Sequence, residues 1–583
     1  MRRSALAAVA AIGSATLLMA GCSKADDSKS DNGGTKAAGA NAATKDVVNA
    51  STHKGGTVTY ELSDVPDSFD PGNTYYAYMY NFSRLYARPL MTFEPGPGSK
   101  GNTLVPDLAA SKGVSSDGGK TWTYKLRSGL KYQDGTAITS KDVKYAVERS
   151  NFARDVLSLG PNYFQQFLVG GKDYKGPYKD KSAEGLKSIA TPDDTTIVFH
   201  LNTAFQEFDY LVAAPQTAPV PQAKDKGVDY VKNIVSSGSY QFQSYQDGKQ
   251  AVLVRNKNWN AATDPLRKQY PDKIVVNLKV NADTIDKDVL AGDAIDMGGT
   301  GVQAATQAQL LTSADKKAGT DNTFGGRLVY MAINTKVKPF DNVACRKAVE
   351  YAIDKVSVQT AEGGPIRGEI ASTVLPPDIT GYEKADQYAT TGNKGDVAKA
   401  KEQLKACGKT SISTNLSARS DRPQEISAAT AIINSLKAVG INASLKQYPS
   451  GKYFTDYAGV PKFTEQQNIG LIMMQWGADW PSGYGFEQQI LNGEAIGASG
   501  NTNLSQYDNK TVNNLLAKAI GTEDVATRNS MYAQIDKQTM SDAALVPLTY
   551  FKVLLARPAN YSNLVSTAAF SGQYDYLNIG TTK

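Results

Sequence analysis

At 583 residues the chain is too long for one hydrophobic core, so two or more domains are expected. Hydrophobic residues at 41% and charged residues at 21% describe an ordinary soluble globular protein. The formal charge of +6 is evenly spread and falls by two without Arg2 and Arg3, which excludes the basic face that nucleic acid binding requires. Tyrosine is abundant at 31 residues. Rings apolar on the face and polar at the tip suit ligand clefts and domain interfaces, although strands and loops also use them.

In chain order, Met1-Arg2-Arg3 is a basic n-region and Ser4 to Ala20 an uncharged run of apolar and small residues. Its length and flanks predict a signal peptide over 1–21 rather than a spanning helix. Leu18-Met19-Ala20-Gly21-Cys22 resembles a bacterial lipobox, with Met19 where Leu, Val or Ile is usual. Cys22 is therefore expected to carry lipid, the alternative being a chance cysteine after an ordinary leader. From Ser23 to Thr52 the chain lacks large apolar side chains, so 22–52 is expected to be a lipidated Cys and a flexible tether reaching about 30 Å. No later stretch approaches the roughly 20 apolar residues of a membrane span.

Thr57 to Leu62 reads as a strand, Asp64 to Gly72 as a loop, and an aromatic run follows from Tyr75 to Tyr80. Trp122, Tyr124 and Leu126 alternate in a half-buried strand, Asp134-Gly135 is a turn, and Thr139 to Arg149 reads as a helix. Thr196 to Leu201, Ala251 to Asn256, Ile274 to Val280 and Leu328 to Asn334 read as strands, and Asn342 to Asp354 as a helix. Ser411 to Leu416, a helix over 425–439 ended by Gly440, and the alternating Ile441, Ala443 and Leu445 form a strand–helix–strand unit, which favours parallel pairing. Asn468 to Trp476 is an apolar strand running into the loop Asp479-Trp480-Pro481-Ser482-Gly483. Cys345 and Cys407 each fall on the apolar face of an expected helix. In an oxidising compartment they read as a disulfide, the alternative being two separate core thiols.

Catalytic signals are scarce. The two histidines, His53 and His200, supply neither a His-based metal site nor a triad, and His200 reads as a cross-strand residue. The Gly-Lys-Thr triplets at Gly119 and Gly408 lack the glycine five residues earlier that a phosphate loop needs; Val114 and Gln403 stand there. No cofactor and no metal site is expected.

Leu104-Val105-Pro106-Asp107-Leu108-Ala109, Trp122 through Gly135, and Asp142-Val143 together resemble the "P-x-LA … W-x-F-x-LR-x-G-x-K-F-x-DG … DV" signature of the extracellular solute-binding proteins of family 5, the peptide, dipeptide and nickel group of ABC importers. Ser237-Gly238-Ser239-Tyr240 with Arg255-Asn256 and Trp259, Ala348 to Asp354, and Trp476-Gly477-Ala478-Asp479-Trp480 are similar to further motifs of that family, in the same order.

The resemblance implies an α/β fold of two lobes about a hinged cleft, like a periplasmic binding protein, with an extra domain inserted in the first lobe. Lobe I would comprise 53–92, 221–327 and 541–583, the insert 93–220, and lobe II 328–540, with crossings near Arg327 and Val546-Pro547. It implies capture of an extracellular ligand, a peptide foremost, by lobe closure. Delivery would be to the membrane subunits of an importer, from a monomer anchored by lipid to the extracellular face of the bacterial membrane. In peptide-binding relatives the Asp of the last motif meets the ligand's amine, which places Asp479 there and makes Trp476, Gly477 and Trp480 cleft candidates. Tyr75, Tyr76 and Tyr78 follow the loop where the first lobe meets ligand, and Arg419 and Arg422 either pair with a ligand carboxylate or form a solvated cluster. A sugar or metal chelate as ligand, a sensor passing its closed state to a signalling partner, and a secreted hydrolase are the competing readings.

Overall fold

The computed structural model describes residues 38–583 apart from Ala183. The leader, Cys22 and the tether as far as residue 37 lie outside the described residues. Three main sheets organise the chain. In the first, Ile274, Val276 and Leu278 of strand Lys273–Leu278 are buried while their neighbours are half-exposed, the period-two pattern of a sheet covered on one face. Thr57–Leu62 pairs with it in parallel and Gln250–Arg255 antiparallel, with Ile295–Asp296 and Tyr240–Gln246 at the edges. Tyr60, Phe69, Phe82 and Tyr86 meet edge-on in the core beneath it.

The second sheet has six strands, in the order Gly368–Ile370, Leu545–Ala556, Thr320–Ile333, Ile469–Gly477, Ile412–Arg419 and Ile441–Tyr448. Its far edge is the expected strand–helix–strand unit: Ile412 lies opposite Ile441 and Arg419 opposite Tyr448 in parallel, joined by helix Pro423–Lys437. Pro423 opens that helix at a position whose N–H would have no partner. Ala428, Ala429, Ile432 and Leu436 form its buried side. The third sheet is antiparallel and lies within the stretch expected as an insert, with Val114–Ser116, Thr121–Lys125, Thr196–His200 and Ile189–Asp193. His200 sits opposite Thr121, 3.2 Å from its hydroxyl.

Two long strands carry the chain between cores. Thr320–Ile333 and Leu545–Ala556 pair antiparallel with a register break between Phe324 and Leu328. On one side of the break Val553 and Leu555 join the core of the five-stranded sheet. On the other, Met331, Ile333, Val546 and Leu548 join the core of the six-stranded sheet. The expected strand at 328–334 is thus longer by eight residues at its start, because Gly325-Gly326 bends it rather than ending it. Val546 and Pro547, expected at a crossing, lie inside the second sheet, with Tyr330 opposite Pro547 and Met331 opposite Val546.

Residues 38–52 depart from the flexible tether expected of them. Ala43 and Val48 are buried, Ala43 N–H donates to Asp321 Oδ1 at 3.0 Å, and Val48 exchanges two backbone hydrogen bonds with Leu564 at 2.8 and 3.0 Å. Arg557 also donates to the carbonyls of Ala38 and Gly39. Main-chain hydrogen bonds need no large apolar side chain, so composition does not reveal this strap. Cys345 and Cys407 are joined by a disulfide with Cα atoms 5.3 Å apart, linking helix Val343–Ala352 to the end of Val397–Ala406. Among the described residues no helix is long and apolar enough to cross a membrane.

Candidate ligand-binding cleft

The first wall of the cleft is the loop Asp67–Tyr76. Asp70 is held bidentately by Arg149 at 3.0 and 2.9 Å, and Asp67 accepts from the Thr74 hydroxyl and the Tyr75 N–H, both at 2.6 Å. So fixed, the loop presents Tyr75, with its hydroxyl on Asp479, and a stacked pair, Tyr76 and Tyr78, with ring centroids 5.3 Å apart. Tyr75 and Tyr76 are 46% and 52% exposed, unusual for rings of this size on a well-packed chain.

The opposite wall is the end of strand Ile469–Gly477 and the loop after it. Ser482 caps helix Gly483–Leu491, and Asp479 N–H donates to Gly485 O at 3.0 Å, so the loop is rigid. The Asp479 carboxylate accepts from the hydroxyls of Tyr75 and Tyr163. Burial pushes its pKa up, the two tyrosine bonds oppose that, and no lysine or arginine pairs with it among the described residues. A desolvated carboxylate without a cation is costly, and this one lies where the lobes meet. Trp476 and Trp480 use their indole N–H groups internally: Trp476 on Phe486 O at 2.8 Å, Trp480 on Glu207 Oε2 at 2.7 Å. Trp476 is half-buried along the cleft strand, whereas Trp480 is 5% exposed, packed among Tyr163, Phe205 and Tyr210. Gly477 faces Arg327 on the neighbouring strand; a Cβ there would stand 2.9 Å from Arg327 Cγ, so the glycine makes room for the arginine.

Beyond Gly477 lies a cavity of about 260 Å³ whose lining includes Val329, Glu362, Arg367, Arg422, Gln475 and Phe551. Arg419 reaches it already paired with Glu425: its Nε and Nη2 both donate to Glu425 Oε2, and its own backbone N–H donates to Glu425 Oε1 at 2.7 Å. Arg422, exposed at the N-cap of helix Pro423–Lys437, has no carboxylate bonded to it among the described residues. Arg327 is lowered by burial and by its neighbour Arg422, with no carboxylate to offset either. Arg327 and Arg367 both lie over the Phe551 ring, at 5.8 and 5.6 Å. Glu362 accepts from Thr549 at 2.6 Å, and burial pushes it up to about 7. The cleft therefore has two poles: an unpaired carboxylate at Asp479, and a group of guanidiniums at Arg327, Arg367 and Arg422.

Of the residues the sequence singled out, Tyr75, Asp479, Trp476 and Gly477 lie along this candidate cleft, Arg419 and Arg422 line the cavity beside it, Tyr76 and Tyr78 stack on its first wall, and Trp480 packs behind it. Sequence reasoning missed Tyr163, Glu207, Arg327, Glu362, Arg367 and Phe551. For Arg327 the Gly325-Gly326 pair just before it was a usable signal; the others come from segments that only the fold brings together. Among the described residues no group of three His, Cys, Asp or Glu side chains could hold a metal ion.

Two lobes bridged by paired strands about a cleft are the architecture of a periplasmic-type binding protein. The chain belongs to the bacterial extracellular solute-binding proteins, family 5, whose middle region matches residues 103–497. It is 37% identical to the solved structure of a clavulanic acid biosynthesis oligopeptide binding protein 2, which it overlays with a TM-score of 0.91 over 94% of this chain and 99% of that one. It is 26% identical over 467 residues to a probable D,D-dipeptide-binding periplasmic protein of Escherichia coli, covering 77% of this chain and 80% of the relative. It is 25% identical over 570 residues to heme-binding protein A of Haemophilus influenzae, covering 94% of each.

Proposed function

We propose that this solute-binding protein serves an ABC importer and that its solute is a peptide, held with its amine on Asp479 and its carboxylate at the Arg327–Arg422 pole. One observation carries the reading: Asp479 is a desolvated carboxylate with no cationic partner, on the wall opposite Tyr75, while on the adjoining strand Arg327 stands with no anionic partner and Arg422 faces it from a helix N-cap. An ammonium and a carboxylate on one ligand satisfy both. The edges of Gln475, Trp476 and Gly477 between the poles suit the backbone of an extended chain. The oligopeptide and dipeptide named for two of the relatives support the class.

Closure about the bend at Gly325–Arg327 and the facing Tyr550–Lys552 would bring lobe I, with the insert at about 93–220, onto lobe II, and a ligand touching both walls shifts that equilibrium by its differential affinity. Binding and release need no covalent step. Cys22 would hold the monomeric body by lipid at the extracellular face of the membrane, where the permease subunits receive the loaded form. The test is to isolate the chain gently, denature it, and identify what it releases by mass spectrometry. Released short peptides support the assignment; a single sugar or metal chelate overturns the ligand class while leaving solute binding in place.

A further inference from the structure

The inserted domain is fastened to lobe I by buried charge. Asp107 bonds Arg88 and Arg267, Arg267 bonds Asp264, and Arg149 bonds Asp70 and Asp225. Against lobe II the same domain presents one buried anion. Glu207, 3% exposed at the start of helix Phe208–Leu211, accepts from four lobe II donors: Trp480 Nε1 at 2.7 Å, Ser482 Oγ at 2.5 Å, Tyr532 OH at 2.8 Å and Arg528 Nε at 3.2 Å. Arg528 is itself fixed, donating from Nη1 to the carbonyls of Thr522 and Glu523 at 2.6 and 3.2 Å. Aromatic rings surround the group, with Phe205 6.1 Å from Trp480 and 5.9 Å from Tyr484.

Two of the four donors, Trp480 and Ser482, follow Asp479 in the same loop. From the insert the same contact face contributes Tyr163, whose hydroxyl bonds the Asp479 carboxylate and whose ring meets Trp480 at 5.1 Å. We infer that Glu207 is the latch of the closed form and the positioning residue of the Asp479 loop, setting that loop against Tyr75 and Tyr163 when the lobes meet. Opening the cleft strips Glu207 of all four partners at once and returns it and Arg528 to water, so the closed form holds a polar contact that no ligand supplies. Charge-assisted bonds of this kind weigh heavily where water is excluded. The inference rests on hinged closure between insert and lobe II but not on the identity of the solute.

The test uses the full chain carrying Cys22→Ser, so that no lipid is attached, with no solute added. Small-angle scattering reads the spacing of the lobes, and hydrogen exchange reads the amides of Asp479 to Phe486. Glu207→Gln should lower the closed-to-open ratio at least about tenfold, as the loss of one charged hydrogen-bond set implies. It appears as a larger radius of gyration and faster exchange in that loop. Arg528→Gln should act alike, and the double variant should add little to either, because both remove one interaction. Trp480→Phe, which keeps the ring and deletes a single donor, should shift the ratio the same way by less, and guards against Glu207→Gln failing to fold. Unchanged scattering and exchange in a folded Glu207→Gln or Trp480→Phe chain, or fully additive effects of Glu207→Gln and Arg528→Gln, would overturn the latch.

Discussion

Asp107 and Arg267, 160 residues apart, are joined by bonds of 2.9 and 2.6 Å with both side chains fully buried. Arg88 bonds the same carboxylate, and Asp264 balances the second guanidinium; burial pushes Asp264 up, but Arg267 and Arg88 outweigh it and hold it at about 2. Removing one member leaves an uncompensated charge in a dry site. Asp107→Asn should therefore destabilise the chain by about 3–5 kcal/mol, read as a lower midpoint in chemical denaturation at unchanged slope. A loss below about 1 kcal/mol would show that the network is interchangeable with neutral packing.

That network explains what the sequence could and could not disclose. Asp107 comes from the Pro-Asp-Leu-Ala stretch, and Trp259, from the Arg-Asn-x-x-Trp stretch, donates to Asp264 at 2.9 Å. Asn256 bonds the carbonyl of Gly238, whose missing side chain lets Leu85 O approach to 2.6 Å of where a Cβ would be. These motifs thus brace the first lobe and, through Asp107, tie the stretch at 93–220 to it, which is why they identify the fold and say little of the ligand. Strands and helices were legible because burial imposes a period on them, as at Ile274, Val276 and Leu278. The cleft was legible only where a motif reached it, at Trp476 to Trp480. Arg327, Glu362 and Phe551 sit on three different elements, and no local pattern records that they converge. The strap at 38–52 was misread because its attachment is main-chain hydrogen bonding.

The disulfide gives an independent test of lobe II. Cys345 and Cys407 close a loop spanning 62 residues between two helices that pack on each other. Replacing both with Ser should cost about 2–4 kcal/mol, chiefly by releasing the unfolded chain. Thermal unfolding with and without a reductant checks it: the parent should lose stability on reduction and the double variant should not respond.

At the amine pole, Asp479→Asn keeps shape and the tyrosine hydroxyls nearby but removes the charge. A peptide with a free N-terminus should then bind more weakly by about 1.5–3 kcal/mol, the weight of a charged hydrogen bond. An acetylated peptide should be little affected. Calorimetric titration of the two ligands against both proteins decides, and equal losses would exclude the amine contact.

The guanidinium pole should respond to pH through Glu362. Its folded pKa is pushed up to about 7, so as pH rises through that value a negative charge appears beside Arg367 and faces the same cavity as Arg419, Arg422 and Glu425. For folding the sign is fixed: a carboxyl raised above its unfolded value favours the folded chain while protonated, and that contribution fades as pH climbs from about 4.5 through about 7. For binding the direction is the same, because the new anion pairs with Arg367 and repels a ligand carboxylate entering the same cavity. Affinity for a peptide with a free C-terminus should fall between about pH 6 and pH 8. With Glu362→Gln only the shallow loss from deprotonation of the ligand's own amine toward about pH 8 should remain, since an amide accepts from Thr549 without acquiring charge. An amidated peptide should show that same shallow loss with either protein and no more. A pH series of titrations with the free and amidated forms separates this from any general loss of structure: if the amidated ligand weakens in parallel, the effect does not lie at the arginine pole.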